Sequence, residues 1–428
     1  MYTQLKSSSA PRIDSVAPAN FSSIRTHAPV AMTPGFRVVS RAVWGVVLAL
    51  AIGIQPGIAQ QTTRKVADQA LLMAAEAGRA DLIAYALENG ADPNARDLRP
   101  EAFTPLMLAA INGHTPTAMK LLDAGADIEA RSARDWTALM YAARDGYADT
   151  VSALLRRGAK PNVVENERGN TALILAAGGG HEGAVGALLR GGADPNRAAS
   201  DGFTALMAVA DTRGSLPTAV DLIGAGADIN ARRSDGWRAL HAAARRGDAR
   251  TVELFLLNGA DVGAPAVDGR TPLLLAASAG ASQSVDLLLE AGADPNRRAA
   301  DGATPLGRAV AASHTGVARR LLEGGAQVDL QGSAGLTPLI IAVRSGHAPT
   351  VRMLLALGAD PDAPDANDGN TALMYAANYG FADLVDELLK NGADTTIRAK
   401  DGWTAIAAAE LVGETGIIAA LRAAGANR

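Results

Sequence analysis

The chain has no cysteine. That excludes disulfide frameworks, thiol nucleophiles, cysteine-ligated zinc and iron–sulfur clusters. Aromatic residues are also scarce, at 4%. A chain that is nonetheless 48% hydrophobic must build its core from Ala, Leu, Val and Ile, which favours thin layers of short helices over a sheet sandwich. There is no excess of positive charge: 40 Lys+Arg stand against 44 Asp+Glu, a net −4, so no global basic field attracts nucleic acid. Lysine is rare, 6 against 34 arginines, a ratio that a GC-rich genome favours. At 428 residues the chain is too long for one ordinary core, and its apolar content excludes wholesale disorder.

The N-terminal segment reads as an address. Residues 1–36 are rich in Ser, Pro and Ala and form a leader expected to be disordered. Arg37 and Arg41 then precede an apolar run from Ala42 to Ile54, followed by Gly57-Ile58-Ala59 before Gln60. A basic flank, a short apolar stretch and small residues at a cut describe a secretory signal peptide over residues 37–59, cleaved after Ala59. The run has 13 residues where a membrane-spanning helix needs about 20; an uncleaved inner-membrane anchor over residues 42–54 is the alternative. Met32 is a second candidate start. Cleavage leaves 35 basic and 43 acidic groups, a net −8, so the mature chain should avoid anionic membranes.

The remainder of the chain is one unit, repeated. Gly-Ala-Asp or a near copy begins at Gly90, Gly125, Gly158, Gly192, Gly226, Gly259, Gly292, Gly325, Gly358, Gly392 and Gly425, in steps of 33 to 35 residues. Thr-Pro-Leu or Thr-Ala-Leu lies 21 residues ahead of most of them, as at Thr104, Thr171, Thr271 and Thr337. Asp-Gly sits just before the threonine at Asp201, Asp235, Asp268, Asp301, Asp368 and Asp401. Asp-Gly is a tight-turn dipeptide. The threonine hydroxyl can cap a helix, and proline fits its first position. A short apolar helix such as Leu106–Ala110 comes next, Gly113-His114 breaks it, a second helix runs through Leu121-Leu122, and Gly125 ends that one as a left-handed cap. Helices this short are marginal alone, so stability must come from neighbouring units.

These residues resemble the ankyrin repeat, and the likeness covers residues 66–428, about 85% of the chain. The resemblance implies an all-α repeat solenoid of about eleven repeats: antiparallel helix pairs, β-hairpin fingers at right angles to them, and a concave face that binds proteins without catalysis. The first unit, Val66 to Asp92, lacks Thr-Pro-Leu, as befits a cap. The finger from Asp97 to Phe103 is longer than the others, and Asp211–Gly214 adds a residue to a helix–helix turn.

Candidate chemistry dissolves into this pattern. His114, His181, His314 and His347 fill the slot after the helix break, and His241 follows Leu240, where the ankyrin pattern has a structural histidine. Whole-repeat spacing keeps them about 10 Å apart, so neither metal nor cofactor is expected. Gly178–Gly183 fits a nucleotide fingerprint in letters only, since no strand precedes it. No hydrolase elbow or kinase signature appears.

The sharper clue is the slot just before the threonine, which the resemblance puts at the finger base facing the concave surface. It holds Phe103, Trp136, Phe203, Trp237 and Trp403. Either each ring packs on the adjacent finger, or the row anchors a partner, since interface hot spots favour Trp and Arg. Arg232 and Arg298 lie six residues after their Gly-Ala-Asp glycines, and Arg232, Arg233, Arg245 and Arg246 gather around Trp237. These arginines are either solvated and offset by Asp201, Asp235, Asp268 and Asp301, or they receive an acidic protein surface. The expected function is a protein-binding scaffold in the periplasm, with no nucleic acid, small-molecule substrate or membrane as partner. A secreted effector, a membrane-tethered adaptor and an unrecognised enzyme are the alternatives.

Overall fold

A computed structural model describes residues 56–212 and 216–426, with side chains from residue 63 onward. The leader, the apolar run 42–54 and most of the expected signal peptide lie outside these residues; so do 213–215 of the inserted turn. The described chain divides into two units, 56–133 and 134–426. Among the described residues there are 22 α-helices and no strand. None is long and apolar enough to cross a membrane.

The first unit opens with Pro56–Glu76 packed on Ala80–Glu88, followed by Pro105–Ile111 packed on Thr115–Asp123. The second repeats the theme from Ala138–Arg144 with Ala148–Arg156 to Ala405–Val412 with Thr415–Ala423. In each pair the helix after the finger (the inner helix) packs on its counterparts in the adjacent pairs, and the nine-residue outer helices do the same within each unit. Inner helices are covered on almost every side: Ala172 through Ala177 are all buried. The outer helix Glu182–Arg190 buries only Ala184, Val185, Ala187 and Leu188. Each buried Leu or Val is worth about 1.5–3 kcal/mol.

The repeat letters act as the sequence suggests. The hydroxyls of Thr104, Thr171, Thr271 and Thr304 accept the N–H three residues on at 3.0–3.3 Å. At the far end of an outer helix, the Gly192 N–H donates to Leu189 O at 3.1 Å and the Ala193 N–H to Leu188 O at 2.9 Å, closing a Schellman cap.

The fingers are hairpin turns too short to form a ladder. Two backbone bonds close the finger at Asp268, Ala266 N–H to Arg270 O and Gly269 N–H to Ala266 O, both at 2.9 Å, and Ala300 N–H to Asp268 O at 2.8 Å joins it to the next. The Val164–Thr171 bridge stands isolated. A side-chain ladder runs along the opposite loops. Asn196 donates to Gly226 O at 2.9 Å and accepts the Asp228 N–H at 2.7 Å, and Asn230 repeats this on Gly259 and Asp261 at 2.9 Å each.

Two glycines separate backbone conformation from space. Gly192 has φ +86° and its missing Cβ would meet nothing within 4 Å. Gly269 has φ +76°, and a Cβ there would lie 2.8 Å from the Ala300 backbone nitrogen. Gly192→Ala should therefore cost only the left-handed penalty, about 1–2 kcal/mol. Gly269→Ala should cost more, because it also pushes two fingers apart. Urea unfolding of the two variants measures this; equal losses would contradict it.

Candidate partner-binding face

Trp237 sits at the base of its finger, half-buried, just ahead of the inner helix Ala239–Arg246. Its backbone N–H donates to Asp235 Oδ1 at 3.1 Å, so the aspartate of Asp-Gly fixes the backbone at the aromatic that follows. Phe203 and Trp403 are held the same way by Asp201 and Asp401 at 3.0 Å. The guanidinium carbons of Arg245 and Arg270 lie 5.1 and 5.8 Å from the Trp237 ring centroid, within cation–π range. Arg245 comes from the last turn of the same inner helix, Arg270 from the neighbouring finger. The indole is thereby oriented by two repeats.

The same arrangement recurs at Trp136. Its ring lies 5.2 Å from that of Tyr141, and Arg144 is 5.5 and 5.3 Å from the two centroids. Burial disfavours the Arg144 charge, but the bidentate bond to Asp145, 2.7 Å at both nitrogens, outweighs it and keeps the guanidinium charged. The residue before Trp136, Asp135, takes φ +62°, where most other fingers use glycine. Phe103 belongs to the first unit. There Arg99 covers its ring at 5.4 Å, and the Phe103 N–H is held by Asp97 at 2.8 Å.

The arginine cluster is mostly paired within the chain. Arg233 meets Asp201 at 3.3 Å and Asp235 at 2.9 Å, Arg238 meets Asp261 at 2.7 Å, and Arg245 meets Asp211 at 2.6 Å. Arg246 donates to the Asp211 carbonyl at 2.8 Å. Arg270 is bound by Asp268, whose carboxyl is raised by burial but lowered further by Arg270's hydrogen bonds, so it titrates below its usual range. Arg232 and Arg298 are exposed and make no ion pair among the described residues. Arg298 rims an open depression of about 570 Å³ lined also by residues 327–331. The pairing matches the offsetting acids expected at Asp201, Asp235 and Asp268; Asp211 and Asp261 were missed, since only packing shows which repeat they face.

Another aromatic cluster escaped the sequence. Tyr375, on an inner helix, lies under Arg344 at 5.7 Å and stacks with Tyr379 at 6.4 Å. Its hydroxyl donates to Asp365 at 3.0 Å. Asp365 also accepts the N–H groups of Asn367, Asp368, Gly369 and Asn370. Burial, and then the Asp365 charge, push the Tyr375 hydroxyl up to about 12. A single tyrosine inside an apolar helix carries no visible sign of such a partner.

The family model for ankyrin repeats, built as three copies, matches residues 71–165, 139–232, 206–299, 297–365 and 357–427. The chain belongs to the ankyrin-repeat family. It is 33% identical over 98 residues to ankyrin repeat and KH domain-containing protein mask-1 of Caenorhabditis elegans, covering 23% of this chain and 4% of that protein. It is 43% identical over 70 residues to mouse (Mus musculus) ankyrin repeat and SAM domain-containing protein 6, covering 16% and 8%. With human (Homo sapiens) ankyrin repeat and KH domain-containing protein 1 it shares 38% over 104 residues, covering 24% and 4%. The chain thus spans less than a tenth of these relatives, and the likeness lies in the repeats. Ankyrin repeats are modules that bind protein partners.

The Asp365 finger should make stability depend on pH. Burial raises the Asp365 carboxyl, but the N–H groups and the Tyr375 hydroxyl lower it further, leaving it below the ordinary value. A carboxyl lowered by folding stabilises above its unfolded pKa, and that stabilisation is lost as pH falls through the depressed folded value. Asp365→Ala strands several donors and should cost about 2 kcal/mol near neutral pH. In thermal melts the gap between wild type and variant should be full at pH 5–7 and shrink below the carboxylate range; a pH-independent gap would contradict the assignment.

Proposed function

We propose that this ankyrin chain is a non-enzymatic scaffold of eleven repeats that holds a partner against its fingers and inner helices, the face that the family resemblance makes concave. The observation that carries this reading is Trp237, a large ring pre-oriented by Arg245 and Arg270 from two repeats and still half-exposed. An anchor that is already ordered loses little side-chain entropy on binding. Trp136 with Arg144 repeats the device three repeats earlier, and Phe203 and Trp403 occupy the same slot. The partner is an acidic or carboxylate-bearing protein surface. Arg232 and Arg298 offer free charge to it, while Arg233, Arg245 and Arg246 act mainly by holding the face together. Nucleic acid is a poor match for a net charge of −4.

The test is affinity capture with the chain as bait, followed by titration of the captured protein. Trp237→Ala with Arg245→Ala should weaken that complex by about two or more kcal/mol, thirtyfold or more, while circular dichroism stays unchanged. Undiminished affinity would sink the assignment of this face.

Export to the periplasm is part of the same proposal. It is supported by Arg37, Arg41, the short apolar run and Gly57-Ile58-Ala59. The proposed cut, Ala59–Gln60, falls in the first turns of the Pro56–Glu76 helix, so cleavage leaves most of that helix to pack on Ala80–Glu88. The exported protein should begin at Gln60 by N-terminal sequencing; a start at Met1 or Met32 would refute cleavage and favour the tethered adaptor. Recovery from the culture medium would favour the secreted effector.

A further inference from the structure

Beneath the Trp237 face His241 fills the structural-histidine slot of the repeat pattern, which among the other described repeats with this inner-helix start holds Met, Ile, Leu, Gly or Ala. In most repeats a threonine hydroxyl caps the inner helix. Here Arg238 stands in the threonine slot, and its side chain makes no cap hydrogen bond. The bond runs the other way: Nδ1 of His241 accepts the Arg238 backbone N–H at 3.2 Å. The ring is wholly buried, and its Nε2 has no hydrogen-bond partner. It lies 5.7 Å from the Trp237 ring, tilted by 32°.

An acceptor at Nδ1 requires that nitrogen to be unprotonated. A second proton on the ring would set two N–H donors against each other and place a cation where no water reaches. The charged groups around it offer poor compensation. On its own finger stand Arg238, Arg233 and Asp235, the aspartate already paired with Arg233. On its own helix are Arg245, paired with Asp211, and the exposed Arg246. On the next finger are Arg270 and Asp268, paired with each other. The preceding finger gives Asp201, also held by Arg233. The outer helix of the same repeat carries Arg250 and Glu253, both exposed. The inner helices on either side, Ala205–Ala210 and Pro272–Ser278, have no titratable residue.

We propose that His241 is an acid-opened latch: its protonation breaks the bond to Arg238, frees the finger that carries Trp237, and disassembles the Trp237–Arg245–Arg270 face. The latch rests on the reading of that face only for its consequence, loss of the partner in acid. Its mechanism is tested without a partner.

Burial holds His241 down at about 4 and the Arg238 charge adds to it; the Arg270 backbone, and after it the Ala264 backbone and Asp235, pull the other way without reversing the shift. The ordinary histidine value is 6.5. Between these values the opened state binds the proton and the closed state does not, so closure weakens as pH falls through that window. From pH 7 to pH 5 the opening equilibrium should rise about twentyfold.

Hydrogen exchange of the full chain, read by mass spectrometry and corrected for intrinsic rates, measures this. Residues 231–247 should lose protection about twentyfold at pH 5, while residues 271–290 change little. His241→Asn keeps an acceptor for the Arg238 N–H and cannot titrate, so its 231–247 segment should stay closed at pH 5. Arg238→Thr restores the hydroxyl cap and should blunt the acid response even if the asparagine variant folds poorly. Equal acid opening in wild type and both variants, or equal loss in 231–247 and 271–290, would overturn the latch. A latch that opens as expected beside a partner complex indifferent to pH would instead count against the Trp237 face as the docking site.

Discussion

No helix pair in this protein can cover its own apolar surface, and the rest of the structure depends on that. Inner helices of six to eight residues are too short to persist alone, yet Ala172 through Ala177 are buried without exception. The cover comes from the pairs before and after. Polar contacts between neighbours repeat the same logic. A finger lends one carbonyl to the next finger, an asparagine spans one loop to the next, and His114, His181 and His314 each lie over a glycine of the preceding repeat, leaving no room for a Cβ at Gly78, Gly146 and Gly280. Stability is therefore a sum of neighbour interfaces.

A scaffold of this kind leaves its exposed positions free to vary, because the core positions already specify the stack. Two such positions are the slot before the capping residue and the last turn of the inner helix, eight residues on. Trp136 with Arg144 and Trp237 with Arg245 fill both positions with complementary groups. The arginines are neutralised by Asp145 and Asp211, so they serve first to hold the rings still. That differs from an open basic patch: recognition there rests on shape and oriented donors, with free charge left to finger residues such as Arg232 and Arg298.

Replacing the threonine cap by Arg238 changes one repeat from an insensitive unit to one whose closure depends on a neutral imidazole. A hydroxyl cap does not titrate between pH 4 and 7; a histidine that must accept a hydrogen bond does. The substitution places that dependence directly under the most elaborate aromatic cluster of the chain.

Periodicity alone carried most of the architecture. The Gly-Ala-Asp and Thr-Pro-Leu spacings located the helix pairs, their caps and the finger slots, because capping and turn chemistry act within a few residues and leave their letters in order. The same letters placed Trp237, Arg245 and Arg233 near one another. They left open how the charges would resolve. Asp211 and Asp261 lie 34 and 23 residues from the arginines they bind, and side-chain contacts across repeats depend on the stagger of stacked units. For the same reason the Tyr375–Asp365 bond emerged only from the folded chain: a tyrosine in an apolar helix reads as core. His241 stood in the structural-histidine slot of the pattern, but which of its nitrogens finds a partner is decided by the neighbours it packs against.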